Sequence, residues 1–332
     1  METKPLIYQY RNDLLECVSY GKVCVVGEDG IRVAIGGVNE YSYYRSASKP
    51  IQALPVLLHR MDKKYGFTDS EIAVFSGSHW GEDIHIKTLE SILQKTGVKE
   101  EQLIMQPTYP LNPERRQELI YQGSGPRRLY HNCAGKHIAL ILLARELGEA
   151  EGNYWKAESK VQKTILDIIS ELTDISADQI RMGVDGCGVP VYAVPLYAIA
   201  LSFLRLICSD LIRNDELRGA VERNTALLHV NSIMLDGFNR SCAVFSSRPD
   251  LLSKAGALGV YAMGIGSLRL GGVVKISDGD NNKAEFCAPY LLRKLGYKGD
   301  SEWWKRLEAI QSGDIYNDNG TLVGKQNCVF NF

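Results

Sequence analysis

The 332-residue sequence lacks several features that would place it in a specialised class of protein. It has no basic run and no basic tail, and its formal net charge at pH 7 is −1. Nucleic acids and anionic membranes attract strongly basic proteins, so we expect neither as the main partner. Its 31 glycines are scattered along the chain, which excludes a low-complexity protein.

Hydrophobic segments that would target or anchor the protein are also missing. The first residues, METKPLIYQYRNDLLE, contain no apolar core of the kind found in signal peptides. The longest uncharged run, residues 186–204, contains Pro190 and Pro195, so we interpret it as a loop that leads into a buried helix. We therefore expect a cytoplasmic protein that does not span a membrane.

The cysteines form no Cys-x-x-Cys pair. Eight are present, at positions 17, 24, 133, 187, 208, 242, 287 and 328. In a cytoplasmic chain of this length we expect them to be reduced, and most of them to be buried as small hydrophobic residues. Cys133 and Cys187 are the exceptions, because each stands in a cluster of residues that are common in functional sites.

The hydrophobic pattern predicts strands near both ends of the chain and helices between them. Residues 21–37 have the pattern of a β-hairpin, and further strands are predicted at 258–265, at 271–280 and in the closing segment. Residues 183–190 are predicted to form a tight loop. Helices are predicted at 49–61, 83–97, 131–148, 157–174, 194–212, 215–234 and 283–296. Since no linker or repeat interrupts the sequence, we expect a single α/β (α+β) domain over residues 1–332.

The stretch RSASKP, residues 45–50, offers two serines ahead of one lysine. Ser46 and Lys49 have the Ser-x-x-Lys spacing, which places both side chains on one face of a helical turn. A lysine that has lost its proton can act as the base for a serine nucleophile. The alternative is that Ser46 or Ser48 caps a helix that begins near Pro50, with Lys49 solvated on its first turn. The stretch alone does not decide between these interpretations.

Three further segments gather residues that are common in active sites. SGSHWGED, residues 76–83, combines hydroxyl and imidazole groups with the backbone donors of a glycine turn, although an ordinary loop and helix cap explain it equally well. HNCAGKH, residues 131–137, precedes an apolar helix whose N-terminus favours anions and thiolates. VDGCG, residues 184–188, adds an aspartate and a cysteine in a turn. Cys133 and Cys187 are too far apart in sequence to form a recognised zinc motif.

In this order, YRSASKPIQALP, SGSHWGE, HNCAGKH, GVDGCGVPVYAVPL, KAGALGVYAMGI and VKISDG resemble the class 3, or type II, Rhizobium-type L-asparaginases. The resemblance covers roughly residues 14–328. It implies a serine β-lactamase-like fold, with a mostly antiparallel sheet flanked by helices and a helical subregion, and a homodimer. It also implies an amidohydrolase that converts the small-molecule substrate L-asparagine to L-aspartate and ammonia.

The resemblance assigns roles to individual residues of this sequence. The implied catalytic residues are Ser46 as nucleophile, Lys49 as its base, and a second serine–lysine pair, Ser78 and Lys136. The implied substrate-binding residues are Arg45, His79, Asp185 and Lys254. The implied ligands of a zinc ion, which need not be essential, are Cys133, Lys136 and Cys187.

Two departures from the family pattern and two alternative functions remain. Family members often carry a further cysteine near the metal, and Cys242 does not align clearly with that position, while Trp80 stands where smaller residues are more usual. One alternative is a penicillin-recognising Ser-x-x-Lys hydrolase. The other is a zinc- or amino-acid-binding protein that has lost turnover.

Overall fold

A computed structural model describes residues 2–332, which divide into two compact units. Both units are built from separate stretches of chain. The first consists of the chain up to Ala47, Val194–Cys208 and Asp250–Phe332, and the second of Ser48–Ala193 and Ser209–Pro249. A single functional domain over the whole chain stays a prediction.

The structure places strands near both ends of the chain, as the hydrophobic pattern predicts. In chain order the strands are β1 (Lys4–Arg11), β2 (Leu14–Gly27), β3 (Gly30–Ile35), β4 (Tyr41–Tyr43), β5 (Arg181–Val184), β6 (Pro190–Pro195), β7 (Leu251–Gly256), β8 (Val260–Ile265), β9 (Leu270–Ile276), β10 (Asp314–Tyr316) and β11 (Leu322–Cys328).

Helices occupy most of the chain between these strands. In chain order they are α1 (Lys49–Gln52), α2 (Leu54–Leu58), α3 (Met61–Lys64), α4 (Asp69–Val74), α5 (Asp83–Thr96), α6 (Pro113–Tyr121), α7 (Ala134–Glu146), α8 (Lys160–Thr173), α9 (Leu196–Ile207), α10 (Asp215–Val230), α11 (Ser241–Ser246), α12 (Asn281–Lys294) and α13 (Ser301–Ile310). None of the helices within residues 2–332 is long and apolar enough to cross a membrane.

An eight-stranded antiparallel sheet forms the first unit, in the order β10-β11-β1-β2-β9-β8-β7, with β3 also paired to β2. Helices α9 and α12 cover opposite faces of this sheet. Successive residues of a strand point to opposite sides, and the neighbouring residues Gly271 and Gly272 of β9 face different helices. A Cβ atom at Gly271 would lie 1.9 Å from the backbone oxygen of Ala200 in α9, whereas one at Gly272 would lie 3.7 Å from Leu291 in α12. The predicted α/β fold with a mostly antiparallel sheet flanked by helices is confirmed.

The second unit is mainly helical and is organised around α7. Every residue of α7 from Ala134 to Ala144 is buried, as expected of a helix that is apolar on all sides. It packs against α2, α5 and α8. Close contact with the end of α4 requires Gly135, because a Cβ atom there would lie 2.4 Å from the carbonyl oxygen of Val74.

Several elements differ from the predictions. The helix predicted over residues 49–61 is divided into the short helices α1 and α2, each with a proline in its first turn, since proline has no N–H to donate within a longer helix. Of residues 183–190, predicted as a tight loop, 185–189 form the turn of the β5–β6 hairpin and the others belong to its strands. The elements that the sequence does not predict are β1, β4, β5, β6, β7 and β10 and helices α3, α4, α6, α11 and α13.

Glycine 271 provides a test of the packing of α9 on the sheet. Gly271→Ala should reduce the free energy of unfolding by about 2–4 kcal/mol, because backbone atoms of α9 occupy the space that the new methyl group needs. Gly272→Ala is the matched control and should cost about 1 kcal/mol or less, since its nearest neighbours are flexible side-chain atoms of Met263. Denaturant unfolding measures both values, and equal losses would contradict this packing.

A capping box stabilises α4, the helix that leads into residues 76–80. The backbone N–H of Thr68 donates to Glu71 Oε2 at 2.6 Å, and the N–H of Glu71 donates to Thr68 Oγ1 at 3.4 Å. The Glu71 carboxylate also accepts hydrogen bonds from Ser91 and Lys95, both at 2.6 Å. Burial alone would raise the pKa of Glu71, but these hydrogen bonds outweigh it and lower the pKa below its usual value.

The lowered pKa of Glu71 predicts a pH-dependent contribution to stability. A carboxyl group with a lowered folded-state pKa stabilises fully above its unfolded pKa, and the stabilisation is lost as pH falls through the folded value. Glu71→Gln should therefore cost about 1–3 kcal/mol at pH 7 and progressively less below about pH 4.5. Denaturant unfolding between pH 7 and about pH 3.5 measures the difference, with the exposed Glu101→Gln as control. A constant difference over that range would contradict the assignment.

Candidate active site

Lys49 is the buried centre of a polar cluster in the second unit. Its side chain is 0% exposed. Its Nζ atom donates to Ser78 Oγ at 2.9 Å and to the backbone oxygen of Asn132 at 3.1 Å. Ser78 follows α4, and Asn132 precedes α7. Three of the segments singled out in the sequence therefore meet at one amino group.

The chain before Lys49 runs through a tight turn directly into α1. Arg45 has a φ of 51°, in the left-handed region, and residues 45–48 form a 3₁₀ turn that leads directly into α1. Pro50 lies in the first helical turn, where its missing N–H costs no hydrogen bond. Ser48 makes no side-chain cap. The alternative of a serine-capped helix with a solvated Lys49 is therefore wrong.

Residues 77–80 are held against residues 234–236. The backbone N–H of Ser78 donates to Leu235 O at 2.7 Å, and that of Trp80 donates to Asp236 O at 3.0 Å. The approach is so close that a Cβ atom at Gly77 would lie 2.2 Å from Met234 O. A glycine immediately before Ser78 is therefore a steric requirement of this contact.

His79, a predicted substrate-binding residue, lies in the interior of the second unit. Its side chain is buried, neither ring nitrogen has a hydrogen-bond partner among residues 2–332, and its ring stacks on that of His85 with centroids 5.5 Å apart. Burial, together with the nearby His85 and Lys49, lowers the pKa of His79 well below its usual value. The imidazole is therefore neutral at neutral pH.

The predicted zinc ligands come together in the same unit. Cys133 immediately precedes α7 and Lys136 lies in its first turn, while Cys187 lies in the β5–β6 turn. All three are buried. Lys136 Nζ donates to Cys187 Sγ at 3.0 Å, and the Cys133 Sγ–H donates to Asn132 Oδ1 at 3.4 Å.

The two cysteines and Lys136 shift one another's pKa values. The hydrogen bond from Cys187 and the charges of Lys49 and Lys136 lower the pKa of Cys133 well below its usual value, although burial opposes the shift. Hydrogen bonding to Cys133 and burial raise the pKa of Cys187. Burial opposes protonation of Lys136, but the two sulfurs and Asp185 outweigh it and raise its pKa. Without metal, the favoured state is a Cys133 thiolate beside a Lys136 ammonium.

Asp185 shapes the turn that carries Cys187. Its backbone N–H donates to Val189 O at 2.8 Å, and its Oδ1 atom accepts a hydrogen bond from the N–H of Gly186 at 2.7 Å. Its carboxylate is half-buried and contributes to the raised pKa of Lys136. Asp185 therefore acts on the cluster both through the turn and through its charge.

The donor set fits a zinc ion. Zinc binds thiolates and nitrogen ligands, and two cysteines with one amine leave a further position for water or substrate. The described residues hold no group of three or more His, Cys, Asp and Glu side chains arranged for a metal. A zinc site on Cys133 and Cys187 would therefore need a third ligand of another type, for which Lys136 is the predicted residue.

Three predicted residues, Arg45, Ser46 and Lys254, belong to the first unit. The end of β7 lies against the backbone on either side of Arg45 and Ser46, because a Cβ atom at Gly256 would lie 2.4 Å from Tyr44 O and 3.2 Å from Ala47 N. Lys254 is buried on the same strand and donates to Ala255 O at 3.0 Å. The first unit thus brings the predicted nucleophile segment to the strand that carries Lys254.

The structure adds one contact and one group to the sequence interpretation. Ser78 accepts a hydrogen bond from Lys49, and Lys136, the lysine that the resemblance places near Ser78, donates to Cys187. The backbone oxygen of Asn132, a further acceptor for Lys49, was not predicted. A backbone carbonyl has no signature in the sequence, so no motif could have identified it.

Comparisons with known proteins give one family match. The family model described as L-asparaginase II matches residues 7–328. Comparison with curated proteins found no match.

Several solved structures are similar to the chain at low sequence identity. Mglu in its native form is 13% identical, with a TM-score of 0.46, and the match covers 85% of this chain and 63% of Mglu. A β-lactamase from Sphaerobacter thermophilus is 11% identical, with a TM-score of 0.43 and coverages of 85% and 94%. A probable glutaminase from Bacillus subtilis is 12% identical, with a TM-score of 0.38 and coverages of 83% and 84%.

The family match includes every segment that forms the polar clusters described above, from the Ser-x-x-Lys stretch to β9. It also begins and ends within the two strands, β1 and β11, that pair near the chain termini. The chain therefore belongs to the L-asparaginase II family and is a hydrolase that acts on amides.

Proposed function

We propose that the protein is an L-asparaginase, which hydrolyses the side-chain amide of L-asparagine to L-aspartate and ammonia. Within its family we assign it to the class 3, Rhizobium-type enzymes, because HNCAGKH and VDGCG carry the features that resemble that class. We further propose that it acts in the cytoplasm as a homodimer. The observation that carries the catalytic proposal is the hydrogen bond between the buried Lys49 and Ser78.

Amide hydrolysis needs a nucleophile, a base that takes its proton, and an acid that protonates the leaving nitrogen. The Ser-x-x-Lys spacing supports Ser46 as nucleophile and Lys49, in its neutral form, as base. Attack of Ser46 Oγ on the side-chain carbonyl carbon would transfer the hydroxyl proton to Lys49 Nζ. Collapse of the tetrahedral intermediate would release the nitrogen, which takes a proton and leaves as ammonia. Water would then cleave the resulting ester to give aspartate.

Ser78 has the contact required of a proton relay. Its hydroxyl lies 2.9 Å from Lys49 Nζ, within the range for direct proton transfer. A proton taken up by Lys49 can thus pass through Ser78 to the leaving nitrogen. The carbonyl of Asn132 holds the Lys49 amino group in position for this transfer.

The substrate's charged groups call for charged partners. We assign its α-carboxylate to Arg45, because a guanidinium binds a carboxylate through two parallel hydrogen bonds. We assign its α-amino group to Asp185, whose carboxylate is only half-buried. His79 and Lys254 are assigned to the walls of the substrate site, His79 in its neutral form.

We also propose that Cys133, Lys136 and Cys187 bind Zn²⁺. The ion would supply a fixed positive charge near the substrate's polar groups when it is bound. Lys136 can ligate a metal only as the neutral amine, so its raised pKa in the metal-free protein makes binding compete with protonation. The Cys187 thiol and the Lys136 ammonium group must lose their protons when the site fills.

Single substitutions of the two serines test the catalytic assignment. Ser46→Ala should lower the rate of ammonia release from L-asparagine by a factor on the order of a thousand, because it removes the nucleophile. Ser78→Ala should lower it on the order of a hundredfold, because it removes a proton relay. The exposed Ser176→Ala is the matched control and should retain full activity.

Labelling of the wild-type protein identifies the nucleophile directly. A diazoketone analogue of asparagine should attach to Ser46, as shown by peptide mapping with mass spectrometry. Attachment to Ser78 would transfer the nucleophile role to that residue. Acylation by a fluorescent penicillin without ammonia release would support the penicillin-recognising alternative. Thermal stabilisation by asparagine with neither reaction would support a binding protein.

Metal content and proton release test the zinc site. The wild type incubated with Zn²⁺ should retain about one ion per chain, by the donor set described above. Cys133→Ser, Lys136→Gln and Cys187→Ser should each lower retention tenfold or more, whereas Cys24→Ser, in the first unit, should not. Calorimetry in buffers of different ionisation enthalpy should show proton release on binding, and affinity should rise with pH. Full retention by Cys133→Ser and Cys187→Ser would disprove the site.

A further inference from the structure

Cys287 and Cys328 form a second thiol pair, which no step of the proposed function uses. Cys287 lies on α12 and is fully buried. Cys328 is the last residue of β11 and is half-buried. Their sulfur atoms are 3.8 Å apart, so a movement of about 2 Å would bring them to the length of a disulfide bond.

Contacts with β1 and with α12 hold the chain around this pair in place. Cys328 is opposite Ile7 in the β1–β11 ladder. Beyond it, Phe330 is buried, its ring meets that of Tyr290 edge-on at 4.9 Å, and its carbonyl oxygen accepts a hydrogen bond from Tyr290 Oη at 3.0 Å. Lys294 Nζ donates to Asn331 Oδ1 at 2.9 Å. The end of the chain is therefore fixed along α12, and the two thiols are held side by side.

We propose that Cys287 and Cys328 are a redox-modification site, which hydrogen peroxide or a related hydroperoxide converts reversibly into a disulfide that joins α12 to β11. The two residues belong to the first unit, and neither lies in the clusters around Lys49 or Lys136. The site is therefore independent of the proposed catalytic function.

The difference in exposure sets the order of the reaction. The half-buried Cys328 meets the oxidant first, and its thiol reacts with one peroxide molecule: the sulfur takes one oxygen to become a sulfenic acid, the O–O bond breaks, and the other oxygen leaves as water with the thiol proton. The neighbouring Cys287 sulfur then attacks the sulfenic sulfur, forming the S–S bond and releasing a second water molecule. Two electrons from the two thiols thus reduce one peroxide. A dithiol reductant reverses the modification by thiol–disulfide exchange.

Position in the sequence gives the disulfide a large effect on stability. Its closed loop contains α13, β10 and most of β11, and a cross-link across a loop of this size restricts the unfolded chain strongly. Oxidation should therefore raise the melting temperature, by about 5 °C or more, and leave the hydrogen bonds of the β1–β11 ladder intact.

Peptide mapping without reduction tests the proposal. Full-length protein treated with a small excess of hydrogen peroxide should yield a linked peptide pair containing Cys287 and Cys328, together with the higher melting temperature. Dithiothreitol should reverse both changes. The map must separate this linkage from any between Cys133 and Cys187, which also interact.

Variants distinguish the cross-link from general oxidation. Cys328→Ser and Cys287→Ala should each abolish the melting-temperature shift, whereas Cys17→Ser, which removes an exposed thiol, should retain it. If a variant folds poorly, the mass-spectrometric map of the wild type decides alone. Absence of the linked peptide, with Cys328 either unmodified or oxidised to sulfinic acid, would overturn the proposal.

Discussion

A buried lysine that joins three segments of chain is the constraint on which the candidate site depends. An amino group removed from water needs hydrogen-bond partners, and Lys49 finds them in Ser78 and the backbone of Asn132. Both segments must therefore approach α1 closely. Gly77 and Gly135 allow these segments to pack closely on their other neighbours, because a side chain would collide with Met234 O at Gly77 and with Val74 O at Gly135. In this unit the hydrogen bonds of Lys49 therefore depend on close packing of the backbone.

Much of the fold follows from hydrophobic periodicity. The hairpin of β2 and β3, the helices α5 and α8, and the paired strands β8 and β9 all have long, regular patterns, and they were predicted close to their observed positions. Short elements were not. β7 is only six residues long and includes a lysine and a glycine. It forms a strand because it pairs with β8, and its own residue pattern does not indicate one. The pairing of β1 with β11 joins opposite ends of the chain, which local sequence does not encode.

The candidate site, too, could be predicted from the sequence only in part. Residue types and motif order single out Lys49, Ser78 and the three residues Cys133, Lys136 and Cys187 as candidates. The hydrogen bond from Lys49 to Ser78 depends on the packing of α1, α4 and α7, which the sequence motifs do not specify. The Cys287–Cys328 contact joins a helix to a strand with no shared motif. Such contacts arise from tertiary structure alone.

The discontinuous construction of the two units has a consequence for the chain as it is synthesised. Every residue of the second unit, up to Pro249, is synthesised before β7, β8 and β9 of the first unit. The sheet of the first unit cannot be completed until those later strands are made, since β2 pairs with β9 and β1 pairs with β11. Until then the β1–β2 hairpin has unpaired edges, which are sites of aggregation. Strands β1 and β2 are therefore synthesised before the second unit but gain their partners β11 and β9 only after it.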